Sequence, residues 1–218
     1  MRIQHGRVSL ELHDLAQRRG PTLLLLHALF GSSADWRDLP SAWPGPVYAL
    51  DFCGHGCSDW LTAGGYTPEL LAADADCALA RIGDAALLCA GLGAYVAVLL
   101  AGARRDRIPA ALLLPGPGLA GGGASPPFAK PDTTLGPFEA GERGSGAYDP
   151  MVSVLDRDVR PVDYVEPFAR AAGRLFLLED SAEQPPWWQA VRQAPNAEVF
   201  SDLDCALARL AAAAAERE

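Results

Sequence analysis

Residues 85–103 read AALLCAGLGAYVAVLLAGA. Ala85 to Cys89 is a short continuous apolar run, the pattern of a strand buried on both faces. Gly91-Leu92-Gly93 supplies a tight turn, and the chain from about Gly93 to Ala103 reads as a buried helix built from small and branched residues. Strand, sharp turn and helix thus follow one another within 19 residues. Outward from this unit the same grammar repeats. Thr22 to Leu26 and Val47 to Leu50 are strand-sized apolar runs, and Ala110 to Leu114 is another, closed by Pro115-Gly116-Pro117-Gly118. Between them the period changes. Thr67-Pro68-Glu69 opens a helix, with Thr67 as N-cap and Pro68 at the first position, and Gly83 is placed to stop it.

Beyond residue 160 the spacing predicts a helix over 161–172, a strand over 175–178, a short helix over 187–193, a strand over 198–200 and a terminal helix from Leu203 to about Glu216. Arg7 to Leu12 alternates like a half-buried strand. Strands alternating with helices imply an α/β chain with a mostly parallel sheet and helices on both faces. Residues 119–161 differ, with Gly121-Gly122-Gly123 and several prolines, and predict a flexible, lid-like excursion without a core of its own. A length of 218 residues suits one domain spanning 1–218.

Composition narrows the function classes. Half of the residues are hydrophobic and 21% are charged, which supports a sizeable core and excludes disorder as the main state. The net charge of −9 argues against nucleic-acid binding, which needs a basic footprint. No apolar run approaches the length of a membrane span, and the first residues have no signal-peptide core. A cytoplasmic location is the resulting expectation, with the five cysteines as free thiols.

Three segments, in order, resemble the α/β-hydrolase fold superfamily. PTLLLLHALFGSSADWRDL is similar to the segment with the oxyanion loop, its His-Gly-x-x-Gly reading here His27-Ala28-Leu29-Phe30-Gly31. YALDFCGHGCSDW resembles the Asp-x-x-Gly-His-Gly-x-Ser hallmark, with Asp51, Gly54, His55, Gly56 and Ser58. ALLCAGLGAYVAVLLAG resembles the nucleophile elbow, Gly-x-Ser-x-Gly, reading here Cys89-Ala90-Gly91-Leu92-Gly93. The resemblance implies an α/β-hydrolase-like sandwich with a reduced lid.

The departures fall where chemistry would occur. Gly91 stands at the nucleophile position and has no attacking atom. The four histidines are His5, His13, His27 and His55, whereas the resemblance puts the general base near Phe200 to Leu203. The acid position overlays Ala182, with Asp180 and Glu183 beside it. Removing one triad member typically costs about 10³-fold or more in rate. A degenerate member without Ser-His-Asp hydrolysis is the expectation.

What the resemblance leaves is a backbone cradle, with the N–H groups of Leu29 and Leu92 as donors in a pocket of His27, Ala28, Leu29, Phe30 and Leu92. The missing side chain at Gly91 would enlarge it slightly. Such a cradle suits a small acyl or carboxylate ligand at the head of a helix. The alternatives are a protein partner at the surface, or non-triad chemistry using the cradle and Asp180 or Glu183. No cofactor is expected. Cys53-Gly54-His55-Gly56-Cys57 has two thiols and an imidazole, but no fourth metal ligand, and the turn explains its glycines. His27 and Asp51 read as loop anchors, Ser58 as turn chemistry and Cys89 as a packed strand residue. Adjacent Trp187 and Trp188 on a short helix differ by about 100°, so one of them is expected to be partly exposed.

Overall fold

A computed structural model describes residues 1–39, 43–62, 64–120, 147–179 and 184–216. Its strands are β1 (Arg2–His5), β2 (Val8–Ala16), β3 (Leu23–Leu26), β4 (Val47–Asp51), β5 (Ala86–Ala90), β6 (Ala110–Leu114), β7 (Arg174–Leu178) and β8 (Ala197–Phe200). Its helices are α1 (Pro68–Ile82), α2 (Leu92–Ala103), α3 (Val162–Ala171), α4 (Pro186–Arg192) and α5 (Leu203–Ala215), with 3₁₀ turns at Ser33–Trp36 and Pro150–Leu155.

The strands form one sheet in the order β1-β2-β4-β3-β5-β6-β7-β8. From β4 to β8 every neighbouring pair is parallel, whereas β1, β2 and β4 pair antiparallel at one edge. The apolar runs are continuous because both faces are covered. Leu24, Leu26, Leu87, Cys89, Leu113 and Leu177 face a core shared with α1 to α4. Their neighbours Leu23, Leu25, Leu88, Leu112 and Phe176 face the other way, against α5. Successive strand residues point to opposite faces, so each run must be apolar at every position.

Local signals account for the boundaries. Thr67 Oγ1 accepts the Leu70 N–H, Pro68 sits in the first turn of α1, and Gly83 ends the helix at φ 92°. Two expectations need correction. The hairpin of β1 and β2 is longer than the 7–12 strand, because Gly6 at φ 59° turns the chain back after β1. Trp187 and Trp188 are both buried, at 2% exposure each. Helix α4 lies between α3 and β8, and the Trp187 ring meets Tyr95 edge-on at 5.1 Å on one side and Trp188 at 5.6 Å on the other. A helix walled on two sides has no solvent face for either indole.

Most of the lid-like excursion, 121–146, lies outside the described residues. Its described end is packed. Val152 and Leu155 are buried, and Asp149 caps the Pro150–Leu155 turn while accepting the Tyr66 hydroxyl at 2.7 Å. Among the described residues, no helix is long and apolar enough to cross a membrane.

Candidate functional site

The parallel strands β3 and β5 end side by side, and their C-terminal loops form the site. Leu26 of β3 pairs with Cys89 of β5. The chain leaves β3 through His27 to Gly31 and leaves β5 through Gly91 into α2. Gly91 holds φ 51° and ψ −117°, a conformation that suits a residue without Cβ. Gly93 is needed for close approach, since a Cβ there would lie 2.5 Å from the carbonyl oxygens of Leu26 and His27.

The Leu29 and Leu92 N–H groups converge on one acceptor. That acceptor is the chain's own Pro117 carbonyl oxygen, at 3.2 Å from Leu29 N and 3.0 Å from Leu92 N. The segment Pro115–Gly118 leaves the end of β6 and folds back over the elbow, and the Gly91 N–H donates to Leu114 O at 3.1 Å. A Cβ on Gly91 would lie 2.3 Å from Pro117 O and 2.7 Å from Gly116 C. The space freed by the absent side chain is therefore filled. This corrects the expectation of an enlarged pocket: backbone N–H groups at a helix start need an acceptor, and the strap provides one.

The strap is held from beyond. Leu119 is fully buried, its N–H donates to Leu155 O at 2.5 Å, and the Ala120 N–H donates to Asp156 O at 2.6 Å. Phe30, Leu119 and Ala120 have φ of 64°, 53° and 55°, and they are the non-glycine residues with positive φ in the described chain. Each such conformation costs about 1–3 kcal/mol, and strain of this kind gathers at functional sites. Here Phe30 follows Leu29, while Leu119 and Ala120 follow the strap.

The histidines near the site are structural in their contacts. His27 is buried, with Nδ1–H donating to Ala28 O at 2.8 Å and Nε2 accepting the Phe52 N–H at 3.2 Å. Burial keeps its imidazole neutral by lowering the pKa. His55 packs 4.9 Å from His27 between ring centroids, and burial pushes its pKa down to about 3. Ala28 is buried, and the Phe30 ring lies tilted against Tyr148 at 4.9 Å between centroids.

Asp51 braces two loops. It accepts the Ser33 N–H at 2.7 Å and the Cys57 N–H at 2.9 Å, and its Oδ2 lies 3.0 Å from His13 Nε2. Burial opposes its ionisation, yet the His13 contact and the two amides prevail and hold the carboxyl at about 2. The Ser58 hydroxyl donates to Asp51 O at 2.5 Å and accepts the Glu11 N–H at 2.8 Å. The cysteines are free thiols, and Cys89 is buried in the sheet. The Cys53–Cys57 residues do not meet as ligands: Cys53 Sγ lies 3.3 Å from Asp59 O, and His55 Nδ1 lies 3.3 Å from Cys53 O. Cys57 instead joins His13 and Asp51, a grouping that the sequence reading missed.

Asp180, Ala182 and Glu183 lie outside the described residues. Only Ser201 and Asp202 separate β8 from α5, and Asp202 is the N-cap of α5, accepting the Cys205 N–H at 2.8 Å. The base position implied by the resemblance is thus a tight two-residue connection.

No protein-family model matches the chain, and comparison with curated proteins finds no match. Solved structures do match over the whole length. The hypothetical protein PA1622 from Pseudomonas aeruginosa PAO1 is 18% identical, with a TM-score of 0.68, over 100% of this chain and 98% of that one. The thioesterase domain from the curacin biosynthetic pathway is 18% identical, with a TM-score of 0.67, over 98% of this chain and 96% of that one. The N-formylmaleamic acid deformylase of Pseudomonas putida S16 is 13% identical, with a TM-score of 0.67, over 92% of this chain and 90% of that one. With its mostly parallel eight-stranded sheet and helices on both faces, the chain has the α/β-hydrolase fold.

Proposed function

We propose that the chain is an α/β-hydrolase-fold binding protein that performs no Ser-His-Asp hydrolysis. Its Leu29 and Leu92 N–H groups receive a small carboxylate or acyl carbonyl in exchange for the Pro117 carbonyl. The observation that supports this reading is the convergence of both donors on one oxygen, beside a residue that has no attacking atom. An amide carbonyl is a neutral acceptor, and a carboxylate accepts about twice as strongly. Two ordinary hydrogen bonds, worth about 1 kcal/mol each, tie the Pro117 carbonyl to the cradle, and the Leu119 and Ala120 amides anchor the strap beyond it. A carboxylate must therefore outcompete the Pro117 carbonyl at these two donors to open the cradle.

The test has two arms. Purified protein is assayed on activated acetyl and butyryl esters and thioesters, and acetate, butyrate and hexanoate are titrated while the Leu29 and Leu92 amide resonances are followed. The expected result is no turnover above a buffer blank and saturable shifts of both resonances. Saturable turnover, or carboxylates that leave both amides unmoved, contradicts the reading.

A further inference from the structure

Where β2 pairs with the C-terminal end of β4, the side chains of His13, Asp51 and Cys57 come together. Asp51 stands directly across from Glu11 in the antiparallel register, and His13 lies two residues further along β2 on the same face. The His13 ring therefore reaches diagonally to Asp51, with Nε2 3.0 Å from Oδ2. The Cys57 amide is pinned to the same oxygen at 2.9 Å, which brings its thiol alongside. One ligand atom from each of His13, Asp51 and Cys57 lies within 4.8 Å of the other two. The Asp51 side chain is fully buried, while the His13 side chain is 29% exposed, so an ion has a way in.

We propose that His13, Asp51 and Cys57 form a binding site for a zinc-type divalent cation, with water at the fourth position. The donor set is one imidazole, one carboxylate and one thiolate, the mixture that a borderline-soft ion takes in tetrahedral geometry. Zinc holds such ligands about 3.5 Å apart, given bonds of about 2.0–2.3 Å. The Cys57 backbone is already fixed at the carboxylate, which keeps its thiol beside the other two ligands. Charge balances as well: binding expels the thiol proton to solvent, and the carboxylate and thiolate together neutralise the ion. The ion takes the place of the Nε2–H···Oδ2 hydrogen bond: Nε2 gives up its proton and ligates, and the imidazole carries a proton on Nδ1. Glu11 stays outside the set, because the N-terminal ammonium and Arg2 hold it at 2.7 Å and 2.8 Å.

The competing role for these residues is a thiol nucleophile with His13 as its base. The environment disfavours it. Burial and the Asp51 charge both push the Cys57 thiol up, which disfavours the free thiolate.

Cobalt(II) is titrated into the reduced, metal-free full chain, and zinc is then used to displace it. The expected result is one equivalent bound, with a thiolate-to-cobalt charge-transfer band in the near ultraviolet. The band is absent in Cys57→Ser and present in Cys77→Ser and Cys205→Ser. Zinc affinity in a chelator competition falls at least about tenfold in both Cys57→Ser and His13→Gln. Circular dichroism melts of the metal-free variants confirm that each is folded, which the partial exposure of both side chains favours. No band in the natural sequence, a band that persists in Cys57→Ser, or unchanged zinc affinity in folded His13→Gln overturns the proposal.

Discussion

The Pro117 carbonyl oxygen accepts the Leu92 N–H at 3.0 Å, and this bond joins the strap after β6 to the first turn of α2. The Leu29 N–H, from the loop after β3, shares the same oxygen at 3.2 Å. Three loops from three neighbouring strand ends thus meet at one atom. A carbonyl has two lone pairs, so both bonds are satisfied together.

Substitution at Gly91 tests how tightly this atom fills the site. Gly91→Ser adds a Cβ that meets Pro117 O at 2.3 Å, on a residue with φ 51°. Backbone strain and the collision together predict a loss of about 3 kcal/mol in urea unfolding, with no ester hydrolysis gained. A variant as stable as the parent, or one with esterase turnover, would show that the strap yields freely.

Strain in the strap's continuation is separable from its hydrogen bonds. Ala120 is exposed and sits at φ 55°. Ala120→Gly removes the left-handed penalty and adds some unfolded-state entropy, so stability rises by up to about 1 kcal/mol. A thermal melt of the two proteins reads the sign.

Trp187 is a core residue despite its position on a two-turn helix. Its indole packs between Tyr95 and Trp188, and its Nε1–H donates to Leu119 O at 3.4 Å. Trp187→Ala is expected to cost about 3–5 kcal/mol in chemical denaturation. A loss below about 1 kcal/mol would mean that the indole is not packed as described.

Two buried carboxyls give opposite pH dependences. Asp51 has its folded pKa depressed from 3.8 to about 2, so its contribution is present above pH 3.8 and is lost as pH falls through about 2. The shift corresponds to about 2 kcal/mol. Asp74 is raised from 3.8 to about 6 by burial, against the opposing His5 contact at 2.6 Å and the Cys53 amide at 2.9 Å. Its contribution is present below pH 3.8 and is lost as pH rises through about 6. Urea unfolding across this range is expected to show Asp74→Asn flattening the decline between the two values, while Asp51→Asn flattens the acid limb. The reverse assignment would contradict both environments.

The sheet and helices were legible because each carries a local, repeating signal. Thr67-Pro68 and Gly83 bracket α1 as the capping chemistry predicts. The four-leucine run of β3 requires cover on both faces, and it has that cover. Other features were not legible, for one shared reason. The β1 strand has only four residues, and its pairing with β2 depends on a turn at Gly6. The burial of both Trp187 and Trp188 depends on what stands on either side of α4. The Pro117 carbonyl is a backbone atom, and Pro115-Gly116-Pro117-Gly118 reads only as a strand stop. Each is a long-range placement that hydrophobic period does not encode. Gly91 at the turn and the placement of all four histidines in the first quarter were legible directly, since they are facts of the sequence.

The most direct test of the closed cradle is a scalar coupling measured across its hydrogen bonds. In uniformly labelled protein, the Leu29 and Leu92 amide nitrogens are each correlated with the Pro117 carbonyl carbon. Both correlations are expected in the free protein, and both disappear together as butyrate saturates the site. If neither amide couples to Pro117 in the free protein, the cradle is not closed by the chain, and the account of this site is wrong.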